Sequence, residues 1–246
     1  MRKILLTIQY NGKNFSGWQR QKNAISVQEV LENKISALLS EQVVLEASGR
    51  TDAGVHAFAQ TAHFETSSNF DIQKLPQAIN FGLDENISVL SAKEVSKNFH
   101  ARFSVKKKTY LYRTYQNRFT LPLFESTHAK THENLQQNFD KMVEASRHLI
   151  GTHNFRAFCS AQTNATNFER TIFDIKLKKE NGTIDFLVTG SGFLYNMVRI
   201  IVGTLIAVGE GKILPEEIPE ILKNQDRKKA GKTMPAHALY LYKVYY

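Results

Sequence analysis

Ile4, Leu6, Ile8 and Tyr10 alternate with Leu5, Thr7 and Gln9 near the start of the chain. That period of two predicts a strand, and Asn11-Gly12 predicts its end. Ser26 and Glu29 stand at capping-box spacing. Behind them Val27, Val30, Leu31, Ile35, Leu38 and Leu39 form one helical stripe. Val43, Leu45 and Ala47 predict a second strand, and Ala59 to Phe64 a third. A second helix is expected to start at Asp71, with Ile72, Leu75 and Ile79 on one face. Ile87 to Val95 then returns as a fourth strand.

A similar order follows. Thr109 to Tyr115 reads as a strand, and Leu135, Phe139, Met142, Val143, Ser146, Leu149 and Ile150 as one helix. Phe173, Ile175 and Leu177 alternate, Asn181-Gly182 predicts a hairpin turn, and Ile184, Phe186 and Val188 alternate after it. Leu194 to Ile206 predicts a strongly apolar helix, Pro215 opens a short one, and Leu239 to Tyr246 closes with a strand. The order β-α-β-β-α-β is the ferredoxin-like unit. The expected architecture is therefore α+β, with two pseudo-symmetric ferredoxin-like halves, residues 1–105 and 106–246, sharing a mostly antiparallel sheet with a central cleft. Four-stranded sheets of this order expose aromatics in RNA-recognition modules. Tyr110 and Tyr112 fall on one face of their strand and Tyr10 lies at the end of another, although topology alone fixes no function.

Charge narrows the classes. Across 246 residues, 32 Lys and Arg against 23 Asp and Glu leave a net charge of +9, an excess suited to a polyanionic partner. A basic protein that is merely soluble is the competing reading. Cys159 is the single cysteine, which excludes an intrachain disulfide or a multi-cysteine metal site and suits a reducing compartment. Asn196 and Arg199 interrupt the longest apolar stretch, and no signal-peptide core follows Met1-Arg2-Lys3. The expectation is a cytoplasmic protein.

Between Val95 and Phe124 there is no acidic residue, while Lys97, Arg102, Lys106, Lys107, Lys108, Arg113 and Arg118 interleave with Phe99, Phe103, Tyr110, Tyr112, Tyr115 and Phe119. Cations suit phosphates and flat rings suit bases. The alternative is a solvated charged face whose aromatics, about half by strand alternation, lie in the core. Arg227-Lys228-Lys229 with Lys232 is a second basic cluster, lining a nucleic-acid backbone or simply exposed. Asp52 lies in Gly49-Arg50-Thr51-Asp52-Ala53-Gly54, a lone carboxylate on a tight turn. It is either a turn former or an attacking group. Arg199 sits inside an apolar helix, where an arginine needs a partner. A carboxylate from the other half, such as Asp52, would serve, and the competing reading is a surface arginine.

Taken in order, Tyr10-Asn11-Gly12 with Phe15-Ser16-Gly17-Trp18-Gln19, Gly49 to Ala57, Phe99-His100-Ala101-Arg102-Phe103-Ser104, Lys108-Thr109-Tyr110-Leu111-Tyr112 and Phe193 to Leu205 resemble the tRNA pseudouridine synthase A family over nearly the whole chain. The resemblance implies isomerisation of uridine to pseudouridine in the anticodon stem-loop of tRNA, no cofactor, no metal and a homodimer. It implies Asp52 as nucleophile, Tyr110 stacking on the target base, Arg199 pairing with the catalytic Asp, and Arg50 holding the base outside the stack. His100, Arg102, Lys106, Lys107 and Lys108 are the expected RNA contacts. Ile200, Ala238 and Val105 depart from residues common in the family, and none removes a group the reaction needs.

Other candidates carry less. His56, His63 and His100 lack the spacing of a helical metal motif. Trp18 and Cys159 read as packing residues, and Gly209-Glu210-Gly211-Lys212 as a helix-ending turn. A non-catalytic RNA-binding protein or RNA chaperone would share the basic face. A phosphatase with an aspartate nucleophile would need a second acid and magnesium ligands that nothing here resembles.

Overall fold

The computed structural model describes residues 1–131, 133–163 and 165–246, with backbone alone at 133 and 134. Contacts divide it into two units, Met1–Lys106 with Tyr240–Tyr246, and Lys107–Leu239. The final strand, expected within residues 106–246, thus contributes Tyr240–Tyr246 to the first unit. Both units are α+β with mostly antiparallel pairing.

In the first unit β1 (Arg2–Tyr10) lies between β3 (His56–Thr66) and β4 (Ile87–Val95), antiparallel to both. Ile4, Leu6, Ile8 and Tyr10 are buried, as alternation predicts. The helix α1 (Val27–Leu39) is capped by the Ser26 side chain, which accepts from Glu29 N–H, and buries Val27, Leu31 and Ile35. The expected strand at Val43, Leu45 and Ala47 shrinks to β2 (Glu46–Ala47), paired with β3. Val43 and Leu45 are buried, but their N–H groups donate to Ser36 Oγ and Glu32 Oε1 of α1. Helix side chains thus replace a ladder there. The helix α2 begins at Leu75 and ends at Asn80. Asp71 instead closes a preceding turn by accepting from the N–H groups of Gln73 and Lys74.

The strand β10 (Leu239–Tyr245) lies parallel to β3, with Tyr240 opposite His56 and Leu241 opposite Ala57. Beyond it the Tyr246 hydroxyl meets Thr61 Oγ1 at 2.6 Å and donates to the Ala101 carbonyl at 2.9 Å. Burial pushes that hydroxyl's pKa up to about 12, so it stays protonated and bonded.

In the second unit the strands run β5 (Lys107–Gln116), β9 (Thr183–Gly190), β8 (Glu169–Glu180), β7 (Gly151–Asn154), all antiparallel, and β6 (Ala129–Thr131) pairs parallel to β5. Asn181 and Gly182 both have positive φ, 43° and 78°, between paired Glu180 and Thr183. That is the type I′ geometry expected of Asn-Gly. Alternation along β8 breaks at a bulge between Ile172 and Asp174, which leaves Phe173 exposed rather than facing inward with Ile175. The helix expected from Leu135 to Ile150 divides into a 3-10 segment, Glu133–Asn138, and α3 (Phe139–Arg147).

The helix α4 (Met197–Gly209) is buried on nearly all sides. A Cβ on Gly203 would lie 1.9 Å from the Lys232 carbonyl, and one on Gly231 2.4 Å from the Gly203 backbone, so the 231–234 segment lies directly on the helix. The short α5 (Ile218–Asn224) follows Pro215. Among the described residues no helix is long and apolar enough to cross a membrane. Gly203→Ala must push the 231–234 segment off α4, and a loss of about 3 kcal/mol is expected, read by chemical denaturation.

Candidate active site

Asp52 sits in a loop that the first unit grips from several directions. The Val55 N–H donates to the Asp52 carbonyl at 3.1 Å, and Gly54 between them has φ +77°, while Ala53 does not turn positive. This is a type II turn, which needs positive φ at its third residue. Before the turn, Thr51 accepts at its carbonyl from Trp18 N–H (3.1 Å), and its hydroxyl meets the Tyr10 hydroxyl at 2.7 Å. After it, Gly54 N–H bonds the Phe15 carbonyl. Gly12 and Gly17 allow this: Cβ atoms there would lie 2.1 Å from the Val55 oxygen and 2.5 Å from the Thr51 oxygen. Trp18 is buried against Tyr10, as expected of a packing anchor.

Gln60, fully buried on β3, holds the approach to the loop. Its Oε1 accepts from Ser48 Oγ (2.7 Å) and Thr61 N–H (3.1 Å), and its Nε2 donates to the Gly49 carbonyl (2.9 Å). His56 is turned inward. Its Nδ1 accepts from Gly12 N–H, and its ring stacks on Tyr240 at 4.7 Å. Arg50 is exposed and Asp52 half-buried on this scaffold. Sequence alone missed Tyr10, Thr51 and Gln60 as supports of the loop. Their signal was burial of polar groups beside the motif, which a hydropathy pattern does not record.

In the second unit Tyr110 lies on β5 opposite Val188, half-buried, with its ring edge-on to Phe193 at 5.1 Å. Tyr112, expected to share an exposed face, is fully buried and donates to the Pro235 carbonyl. Tyr10 is buried as well. The exposed aromatic surface expected of an RNA-recognition sheet is therefore corrected at these two positions, where core packing takes the rings. Arg199 Nε donates to the Met234 carbonyl (2.6 Å) and Nη1 to Asn196 Oδ1 (2.5 Å). Asn196 has φ +60° and also donates to Ser160 Oγ. Arg199 is half-buried, with Val198 and Ile200 buried on either side of it in the chain. Burial raises the Tyr112 hydroxyl's pKa, and the Arg199 charge works against that rise.

Among the basic residues, Arg102, Lys106 and Lys107 are exposed, and Lys108 and His100 half-buried. The Arg102 guanidinium stands 5.7 Å over the exposed ring of Phe103, which packs on His100 at 4.3 Å. Tyr115 is buried and Arg113 pairs with Asp185, so part of the basic tract is structural. Arg227 bonds the carbonyls of Ala230 and Gly231 and the Thr233 hydroxyl. It holds its own loop rather than standing free, whereas Lys228, Lys229 and Lys232 are exposed.

Folding gathers His63 and His100 with Glu46, their ligand atoms within 4.8 Å of one another. Both rings accept a backbone N–H at Nδ1, from Ala101 and from Arg102. A neutral ring so bonded carries its proton on Nε2. His100 Nε2 meets Glu46 Oε2 at 2.6 Å. The cluster is therefore built as a donor–carboxylate pair, the reverse of the Nδ1–H donor arrangement typical of metal-bound histidine.

The chain matches a family model described as tRNA pseudouridine synthase over residues 6–104 and 145–246. It is 44% identical to "tRNA pseudouridine synthase A" of Thermoanaerobacter sp. (strain X514) over 100% of both chains. It is also 44% identical to the protein of that name from Acetivibrio thermocellus, again over 100% of both. Identity to the Anoxybacillus flavithermus protein is 45%, over 100% of this chain and 99% of that one.

Burial of His63, first, and then the nearby His100 hold its pKa below the ordinary 6.5. The unfolded chain therefore takes up the proton first as pH falls, and His63 contributes stability above pH 6.5 that is lost below it. His128 shifts the same way through burial. Stability should fall as pH drops below 6.5, and His63→Gln should reduce that slope without abolishing it, measured by urea unfolding across pH.

Proposed function

The chain belongs to the tRNA pseudouridine synthase family, an isomerase family that converts uridine to pseudouridine in tRNA, and we propose that Asp52 is its nucleophile. The observation that carries the proposal is the grip on the Asp52 turn, which aims one half-buried carboxylate from a backbone held by Tyr10, Phe15, Trp18 and Gln60.

The reaction breaks the N1–C1′ bond, turns the uracil and joins C5 to C1′. N1 gains a proton and C5 loses one, so no outside reactant is consumed. A carboxylate can attack C1′ as N1 leaves, or assist formation of a glycal; both routes need it ionised. Arg199 is proposed as the cationic partner of Asp52, consistent with a guanidinium already fixed by Met234 and Asn196. The base must leave the stem, at a cost of a few kcal/mol. Tyr110 stacking on it returns about 1–3 kcal/mol. Arg50, exposed beside the turn, is proposed to fill the gap left behind. Water must be kept from the freed sugar, or hydrolysis competes.

The substrate segment is proposed to be the anticodon stem-loop. His100, Arg102, Lys106, Lys107 and Lys108 are its proposed contacts, supported by the exposure of Arg102, Lys106 and Lys107. The enzyme is proposed to act as a homodimer in the cytoplasm, without cofactor or metal. Each unit is read as one ferredoxin-like half. The first runs β-α-β-β-α-β with strand order β4-β1-β3-β2, and the second runs β5, α3, β8, β9, α4.

Asp52→Asn should abolish pseudouridine formation on total tRNA while RNA binding survives. Wild-type protein that binds tRNA and forms no pseudouridine would return the chain to an RNA-binding or chaperone role. A chelator should leave the rate unchanged. Tyr110→Phe should keep stacking and slow turnover if the hydroxyl moves the C5 proton; a full rate confines Tyr110 to stacking. Lys106→Ala or Lys107→Ala should reduce the slope of log K against log salt by about 1 each.

A further inference from the structure

We propose that Tyr10 is a positioning residue for the reaction, acting through its buried hydroxyl contact with Thr51, which with the Gln60 tie to Gly49 fixes the direction of Asp52 and Arg50 without touching the substrate. This deepens the functional reading and rests on Asp52 as nucleophile.

These contacts lie inside the first unit. Gln60 donates to the Gly49 carbonyl, and the Tyr10 hydroxyl meets Thr51 Oγ1 at 2.7 Å. Gly49 and Thr51 flank Arg50, and Thr51 precedes Asp52. Both neighbours of Arg50 are thus tied to buried polar groups, Gly49 through its carbonyl to Gln60 and Thr51 through its side chain to Tyr10. With its neighbours fixed inward, Arg50 projects to solvent, and Asp52 leads directly into the turn closed by Val55.

The chemistry of the members suits the task. Gln60 and Tyr10 are buried beneath the loop, and buried polar groups persist where they are bonded. Burial raises the Tyr10 pKa, so its hydroxyl remains a neutral donor and acceptor through the working pH range. Gln60 has two carbonyl lone pairs and two N–H groups. Ser48 and Thr61 take the oxygen, and Gly49 takes the amide side. With donors on its oxygen and an acceptor on its nitrogen, the amide has one orientation, which transmits the position of β3 to the loop.

A hydrophobic or small residue at position 10 would fill the core equally well by alternation alone. The hydroxyl is therefore the informative part. Without it, Thr51 loses that side-chain tie and keeps the carbonyl bond from Trp18. Displacing a reacting group by about 1 Å costs on the order of a hundredfold in rate.

The test compares Tyr10→Phe, Thr51→Val, Thr51→Ser and the double variant Tyr10→Phe/Thr51→Val, with kcat, KM and melting temperature measured on the full chain. Tyr10→Phe should lower kcat by about ten- to a hundredfold with KM for tRNA unchanged. Thr51→Val should match it, Thr51→Ser should recover most of the loss, and the double variant should be no slower than either single. A Tyr10→Phe enzyme with wild-type kcat per folded molecule overturns the proposal, as does a double variant whose losses multiply. If Tyr10→Phe does not fold, the Thr51→Val and Thr51→Ser pair decides by the same criterion. Asp52→Asn in parallel separates the two ideas. An active Asp52→Asn enzyme removes the nucleophile reading, whereas an inactive one beside an unaffected Tyr10→Phe removes the positioning role of Tyr10 alone.

Discussion

The first unit depends on backbone touching backbone beneath the Asp52 turn. Gly12 and Gly17 stand where any Cβ would meet the carbonyl of Val55 or Thr51 at 2.5 Å or less. Because those positions carry no side chain, the segment from Asn11 to Trp18 can lie against the turn and bond it through Phe15 and Trp18. The buried hydroxyl pair of Tyr10 and Thr51 and the amide of Gln60 then fill the remaining polar demand. A carboxylate set on such a base has little backbone freedom left to lose, because its backbone is already ordered.

The second unit uses the same device for a cation. Gly203 and Gly231 let the 231–234 segment lie on α4, and this places the Met234 carbonyl where Arg199 Nε finds it. Asn196, in a left-handed conformation at the start of the helix, holds the other side of the guanidinium. In both units the charged group comes from a residue of ordinary type, and glycines some distance away set where the backbone around it lies. Ile200 and Ala238, which depart from common family residues, are both fully buried, where they act on packing and not on the charged groups.

Much of this was legible in the sequence, and what was not has identifiable causes. Alternation in Ile4 to Tyr10 and in Ile184 to Val188, the Ser26 cap and the Asn181-Gly182 turn were readable because each is decided by neighbours in the chain. Val43 and Leu45 read as a strand because they are buried at alternate positions, yet Ser36 and Glu32 take their N–H groups. That outcome depends on the helix being nearby in space. Phe173 was misplaced by a bulge, and Tyr112 by counting only the face and not what covers it. At the candidate site, Asp52, Arg50, Tyr110 and Arg199 stood out as polar groups in unusual settings. Tyr10 and Gln60 did not, because a buried tyrosine or glutamine looks like any other strand residue until its partners are known.

The placement of Tyr240–Tyr246 beside β3 has a consequence for biosynthesis. The ribosome must complete the whole of Lys107–Leu239 before those residues emerge, so the nascent amino-terminal sheet waits with part of one border uncovered. Tyr246, which ties Thr61 to Ala101, arrives with those residues. Maturation of the Asp52-bearing unit thereby waits on synthesis of the intervening residues 107–239, with its long-range closure the slow step.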